Sequence, residues 1–212
     1  MPNKFQTLFE KPYGEIFKLI DKYVSDGDVV VDLGCGDGVL EEKIENLKIG
    51  CLVYGVDLDP EALSGLAKKK FNNINVKILN QNVNYFLETS GLSSDVDVVV
   101  MNAVIHETNA SADQGEYLNR FFRETGKILK KGGKIIIGDY YYHPDAPNEE
   151  VEEYIERQKE EIGHADARNK FILPDLLISK ARENGFSKNY SNEFRVVEEI
   201  DRRYYTFVFQ KD

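Results

Sequence analysis

Residues 29–40, VVVDLGCGDGVL, decide how the rest of the chain is read. Val29, Val30 and Val31, with Leu33 beyond the acid Asp32, make the apolar run of a parallel strand buried on both faces. The run stops where glycines begin. Gly34, Gly36 and Gly38 come at every second position, so the backbone can turn with positive φ and present N–H groups with no Cβ in the way. A helix is expected over about residues 37–47. Strand, glycine turn and helix N-terminus together suit a polar or anionic group, because the first N–H groups of a helix have no partner within it.

Spacing narrows what that group is. A dinucleotide fingerprint needs glycine at the first, third and sixth positions of the loop, and the sixth position here is Val39. A second apolar run, residues 51–57, ends in Asp57, 21 positions beyond Gly36. That is close to the ~20 residues that separate a glycine turn from a ribose-holding acid in a nucleotide-type βαβ unit. Asp59-Pro60-Glu61 then offers an N-cap, a first-position proline and an early acid for a helix reaching Phe71. A third strand is expected over residues 75–80, followed by Gln81-Asn82-Val83 and an amphipathic segment to Ser90. A fourth, residues 95–101, leads into Asn102 and His106-Glu107; a helix over 113–129 and the turn Lys131-Gly132-Gly133 lead to a fifth, residues 134–138. Such alternation predicts a doubly wound α/β sheet. Open parallel sheets bind ligands beyond the carboxyl ends of their strands, which puts the loops after the first four strands, and His106, on one edge.

The pattern Asp32-Leu-Gly34-Cys-Gly36-Asp-Gly38, followed by Asp57 and the fourth-strand loop, resembles that of the class I S-adenosylmethionine-dependent methyltransferases. The resemblance covers residues 28–140 in ordered motifs and the remainder more loosely. It implies a mostly parallel seven-stranded Rossmann-like sheet with helices on both faces and the last strand antiparallel. It implies one domain, 1–212: an N-terminal helical cap (1–27), a cofactor-binding core (28–140), and acceptor-side helices with C-terminal strands (141–212). The implied cofactor is S-adenosyl-L-methionine, and the implied reaction is methyl transfer to an O or N atom of a small molecule by in-line displacement. By position, Asp32, Gly34, Gly36 and Gly38 are assigned to the methionine end, Asp57 and Leu58 to the ribose, Asn82 and Val83 to adenine, and Asn102 to the region of the methyl group. Asn82 departs from the aspartate common there; its carbonyl can accept the same hydrogen bond without charge, and the run Asn80 to Asn82 is equally what an ordinary turn uses.

On the acceptor side the candidates are His106, Tyr141, His143 and His164, with Glu107 as a partner. A histidine near its ordinary pKa of about 6.5 can take the proton from a hydroxyl or ammonium acceptor. Each has a structural explanation as well: loop capping or packing for His106, a His-Pro turn for His143, a helix terminus for His164.

Composition limits the alternatives. A chain of 212 residues is expected to form one domain. Its net charge of −10 opposes non-specific attraction to nucleic acid, so no nucleic-acid partner is expected. Lys68 to Lys70 and the lysines around Gly132 read as helix-end electrostatics. Cys35 and Cys51 form no metal-type pair; no metal site is expected, and reduced thiols fit a cytoplasmic location. No apolar stretch approaches the ~20 residues that span a membrane, and the N-terminus lacks a signal-type apolar core, so the chain is expected to be soluble. Residues 12–25 have helical spacing and should cross the sheet edge or cover the site; the acidic helix over 149–164 should present a solvated outer face. The aromatic run after Gly138 suits a pocket wall; Pro174 opens a helix, and residues 204–210 read as a strand. Two other functions share these features: a methyltransferase acting on protein or RNA, which would need a basic or extended groove at the same edge, and a non-catalytic relative serving as an interaction module. The identity of the acceptor and the oligomeric state have no motif to announce them.

Overall fold

The computed structural model describes residues 6–109, 113–163 and 165–212. Along the chain the elements are α1 (Gln6–Tyr23), β1 (Val29–Leu33), α2 (Val39–Glu45), β2 (Leu52–Asp57), α3 (Pro60–Leu66), β3 (Asn75–Asn80), α4 (Val83–Thr89), β4 (Val96–Asn102), α5 (Ile105–Thr108) and α6 (Gln114–Ile128). They continue with β5 (Leu129–Tyr142), α7 (Asn148–Ile162), a short 3-10 turn (Arg168–Lys170), α8 (Pro174–Glu183), β6 (Phe186–Val197) and β7 (Arg202–Lys211). The strands form one seven-stranded sheet in the order β3-β2-β1-β4-β5-β7-β6. Pairings among β1 to β5 are parallel, while β7 runs antiparallel to both neighbours, so the reversed strand is the last one, as expected.

The alternation of side chains along each strand fills two cores. Val30, Val53, Val100 and Ile136 point to the face covered by α1 and α2, where Ile16, Ile20 and Ile44 are fully buried. Val31, Leu33, Met101 and Ile137 point to the other, against Phe86 of α4 and Phe121 and Phe122 of α6. β1 lies between β2 and β4, so the crossover directions diverge there and leave a crevice beyond the strand ends.

The fifth strand is longer than its apolar run suggests. β5 continues through Tyr140, Tyr141 and Tyr142 because β7 pairs with it from Lys134↔Gln210 to Tyr142↔Arg202. The aromatic run after Gly138 is therefore itself sheet, and its side chains alternate between faces. α3 ends at Leu66, short of Phe71, and α1 begins at Gln6, ahead of Pro12. Among the described residues, no helix is long and apolar enough to cross a membrane.

Candidate active site

The three glycines of the β1 turn all have positive φ: 81° at Gly34, 55° at Gly36 and 90° at Gly38. Their surroundings differ. A Cβ on Gly34 would overlap the Val104 side chain and one on Gly38 would overlap Leu66, so those two positions are closed by packing. A Cβ on Gly36 would meet nothing within 4 Å. Bare backbone at Gly36 therefore faces open space, and Asp57 braces it: one carboxylate oxygen accepts from Gly36 N–H at 2.8 Å and the other from Asp59 N–H at 2.9 Å. Each oxygen has a second lone pair for another donor. The amide of Asn80 donates to the carbonyls of Asp57 and Leu58, fixing the chain beyond β2 and leaving the Leu58 side chain 64% exposed.

Asp32, at the end of β1, is buried; burial first, then the Glu41 and Asp57 carboxylates, push its pKa well above the usual range. Tyr13 of α1 has its pKa raised by burial and then by the Asp32 and Asp37 carboxylates. Asn102 closes β4, and its side-chain oxygen accepts from the Tyr204 hydroxyl at 2.5 Å. Asn82 is used differently from the acceptor expected of it: its side-chain oxygen caps α4, accepting from Asn84 N–H at 2.9 Å and Tyr85 N–H at 3.4 Å. The ordinary turn chemistry accounts for that oxygen. Val83 opens α4 and is buried.

His106 is organised by a residue that the sequence did not single out. Asp139, fully buried at the end of β5, lies 2.7 and 2.9 Å from His106 Nδ1 and accepts from the backbone N–H groups of His106 (3.1 Å) and Tyr140 (2.7 Å). The other ring nitrogen, Nε2, faces Asp166 at 3.5 Å and Glu107 at 3.6 Å, and Phe171 packs on the ring with centroids 4.7 Å apart. Burial alone would lower the pKa of His106, but Asp139, helped by Asp166 and Glu107, outweighs it and pushes it up to about 11. This environment favours the imidazolium form of His106, a donor, over the free imidazole that would act as a base.

His106, Glu107 and Asp166 bring three ligand-type atoms within 4.8 Å of one another, a cation-holding arrangement where no metal set was expected. Residues 60 positions apart in sequence meet there, which no spacing rule reveals. The Lys170 ammonium bridges the two carboxylates, 2.7 Å from Asp166 and 3.3 Å from Glu107, and so already supplies a cation. Asp166-to-Lys170 at i, i+4 was the only local trace of this cluster.

Tyr141 and His143 have partners of their own. Tyr141 is buried and faces Glu193 and Arg203, which hydrogen-bond its hydroxyl; it lines a cavity of about 350 Å³ with Tyr142, Phe171 and Leu173. His143 belongs to a turn: its Nδ1 accepts from Asp145 N–H at 3.3 Å and its own N–H donates to the Asp201 carbonyl at 3.1 Å. His164 lies outside the described residues.

Residues 24–185 match a family model described as a methyltransferase domain. Among curated proteins, a ribosomal protein L11 methyltransferase of Campylobacter concisus is 29% identical over 122 residues, 57% of this chain and 38% of that protein. A second, from Bacillus licheniformis, is 26% identical over 161 residues, 74% of this chain and 42% of that protein. The chain therefore spans about two fifths of the length of these relatives. Among solved structures, the cyclopropane synthase of Mycobacterium tuberculosis superposes with a TM-score of 0.72 at 12% identity, covering 94% of this chain and 84% of that one.

Proposed function

The chain belongs to the methyltransferase-domain family, and from that membership we propose that it binds S-adenosyl-L-methionine across the β1–β4 crevice and transfers the methyl group to an O or N atom of a small molecule. The observation that carries the reading is Asp57. Its carboxylate is locked beside Gly36, the one glycine of the β1 turn that faces open space, one residue from an exposed Leu58. A paired hydroxyl donor such as a ribose fits the remaining lone pairs, and an apolar side chain held out of the core is suited to lie against a planar base. Asp32 and the open Gly36 backbone remain for the amino-acid end.

Once bound, the sulfonium supplies an activated methyl carbon, so the demands left to the protein are position and charge. Aligning a donor and an acceptor can itself lower a barrier by ~7–11 kcal/mol. Asn102, held by Tyr204, marks the crevice floor next to β4. His106, oriented by Asp139 and charged, is the donor that can hold an acceptor oxygen or nitrogen in line, and Glu107 and Asp166 around it can draw a positive group. A small acceptor is supported by Phe171, whose ring packs on that of His106.

Incubating the full chain with radiolabelled S-adenosylmethionine and panels of small hydroxyl and amine acceptors tests the reaction. Label appearing in a small product supports the proposal; label appearing only in added protein or RNA would replace it.

A further inference from the structure

Arg202 opens β7 directly opposite Tyr142 of β5 and is only 8% exposed. Its guanidinium carbon lies 4.9 Å from the ring centre of Tyr140, 5.4 Å from Tyr142, 5.6 Å from Phe171 and 5.8 Å from Tyr154 of α7. For hydrogen bonds it has little. Nη1 donates to Gln158 Oε1 at 3.5 Å, the outer limit of such a bond, and Nε is buried with no acceptor. The adjacent carboxylate, Asp201, is already taken by Arg195 and Arg203.

A guanidinium has five N–H donors, and a buried charge costs several kcal/mol unless it is both paired and hydrogen-bonded. Aromatic faces offset roughly 0.5–2 kcal/mol each for a cation placed over them and accept none of those N–H bonds in full. Among the described residues no carboxylate forms an ion pair with this guanidinium, so the packing holds a preformed cation with an N–H left to donate. The place of the box matters as much. Tyr140 packs on Tyr204, whose hydroxyl holds Asn102 at the end of β4, and Phe171 packs on both Arg202 and His106. Arg202 is therefore joined through two rings, Tyr140 and Tyr204, to Asn102 at the end of β4, and through Phe171 to His106.

We propose that Arg202 receives a carboxylate borne by the methyl acceptor, so that the substrate class is a small carboxylic acid; this rests on the methyltransferase reading above. One guanidinium walled by rings matches a single negative charge, and a planar carboxylate can lie between the rings while meeting the planar donor fork in bidentate fashion. A phosphate, tetrahedral and close to doubly charged at neutral pH, fits neither property as well.

The test needs no knowledge of the full substrate. Benzoate, its neutral isostere benzamide and inorganic phosphate are titrated into the full chain by calorimetry, with S-adenosylmethionine titrated into the same samples. Benzoate should bind the wild type and benzamide should bind at least tenfold more weakly. Arg202→Met should weaken benzoate at least tenfold with S-adenosylmethionine affinity kept within twofold. If Arg202→Met does not fold, Arg202→Lys serves, losing the fork but keeping the charge, with at least a threefold loss expected for benzoate. Equal binding of benzoate and benzamide, phosphate binding without benzoate, or benzoate affinity indifferent to either substitution would overturn the assignment. Benzoate binding in a chain that takes up no S-adenosylmethionine would leave the anion site standing and overturn the methyltransferase reading instead.

Discussion

The Tyr204 hydroxyl occupies the space in which a Cβ on Gly138 would stand, and from there it donates to Asn102. Only a glycine in β5 lets a β7 side chain pass over it to reach the end of β4, so this contact ties three strands together at the crevice. Gly138→Ala is expected to lose about 1–3 kcal/mol, the usual cost of overpacking a tight core. Denaturant unfolding of the single variant and of Gly138→Ala with Tyr204→Phe checks it. The double variant, with the hydroxyl gone, should recover part of the loss, since the ring carbon Cζ at 2.7 Å and Ile16 Cδ1 at 2.9 Å still crowd the new Cβ; a double variant less stable than the two separate losses add up to would contradict the clash with the hydroxyl.

Asp139 should keep His106 charged far above the ordinary histidine range. The ring resonances of His106 are expected to show no titration between pH 5 and 9, and to titrate in Asp139→Asn. A histidine whose folded pKa is raised contributes stability that is complete below about pH 6.5, its unfolded value, and is lost as pH rises toward about 11. The destabilisation caused by Asp139→Asn should therefore be larger at pH 6 than at pH 10. In turnover, His106→Ala should lower kcat more than it lowers cofactor affinity, and equal activity would remove His106 from the site.

Glu41 is fully buried, its carboxylate lying against Gly55, and among the described residues no other residue hydrogen-bonds to either of its carboxylate oxygens. Burial raises its pKa to about 7. In the unfolded chain it ionises above about pH 4.5, whereas the folded chain resists ionisation until about pH 7, so its contribution becomes destabilising across that window. Glu41→Gln should match the wild type near pH 4 and exceed it at pH 8 by about 3 kcal/mol, since each pKa unit is worth about 1.4 kcal/mol. A constant difference across pH would contradict this.

The framework of the fold was legible because β1, β2 and β4 are largely buried and therefore announce themselves as apolar runs between turn residues. The length of β5 was not, because Tyr140 to Tyr142 become strand only through pairing with β7, a partner some 60 residues away. In the candidate site, Asp57 and the three glycines were readable from local spacing, since strand, turn and helix are consecutive. Asp139, Asp166 and Arg202 were not. Each gains its role from a side chain far off in sequence, and an acid after a glycine or an arginine before a tyrosine has no periodicity to mark it. Asn82 had two readings in the sequence, and the structure shows its side-chain oxygen capping α4, the turn chemistry.

Asp57→Ala should weaken S-adenosylmethionine more than tenfold while the chain still unfolds cooperatively, because the carboxylate is bonded to backbone N–H groups of the turn and buries no core surface. An unchanged dissociation constant would withdraw the ribose assignment.

The most direct test of the account is a calorimetric titration of the full chain with S-adenosylmethionine, run beside one with a nicotinamide dinucleotide. One molecule of the sulfonium nucleoside should bind per chain, with the nicotinamide giving no heat. Silence with the first, or saturation by the second, would contradict the reading of Gly36 and Asp57 on which the rest depends.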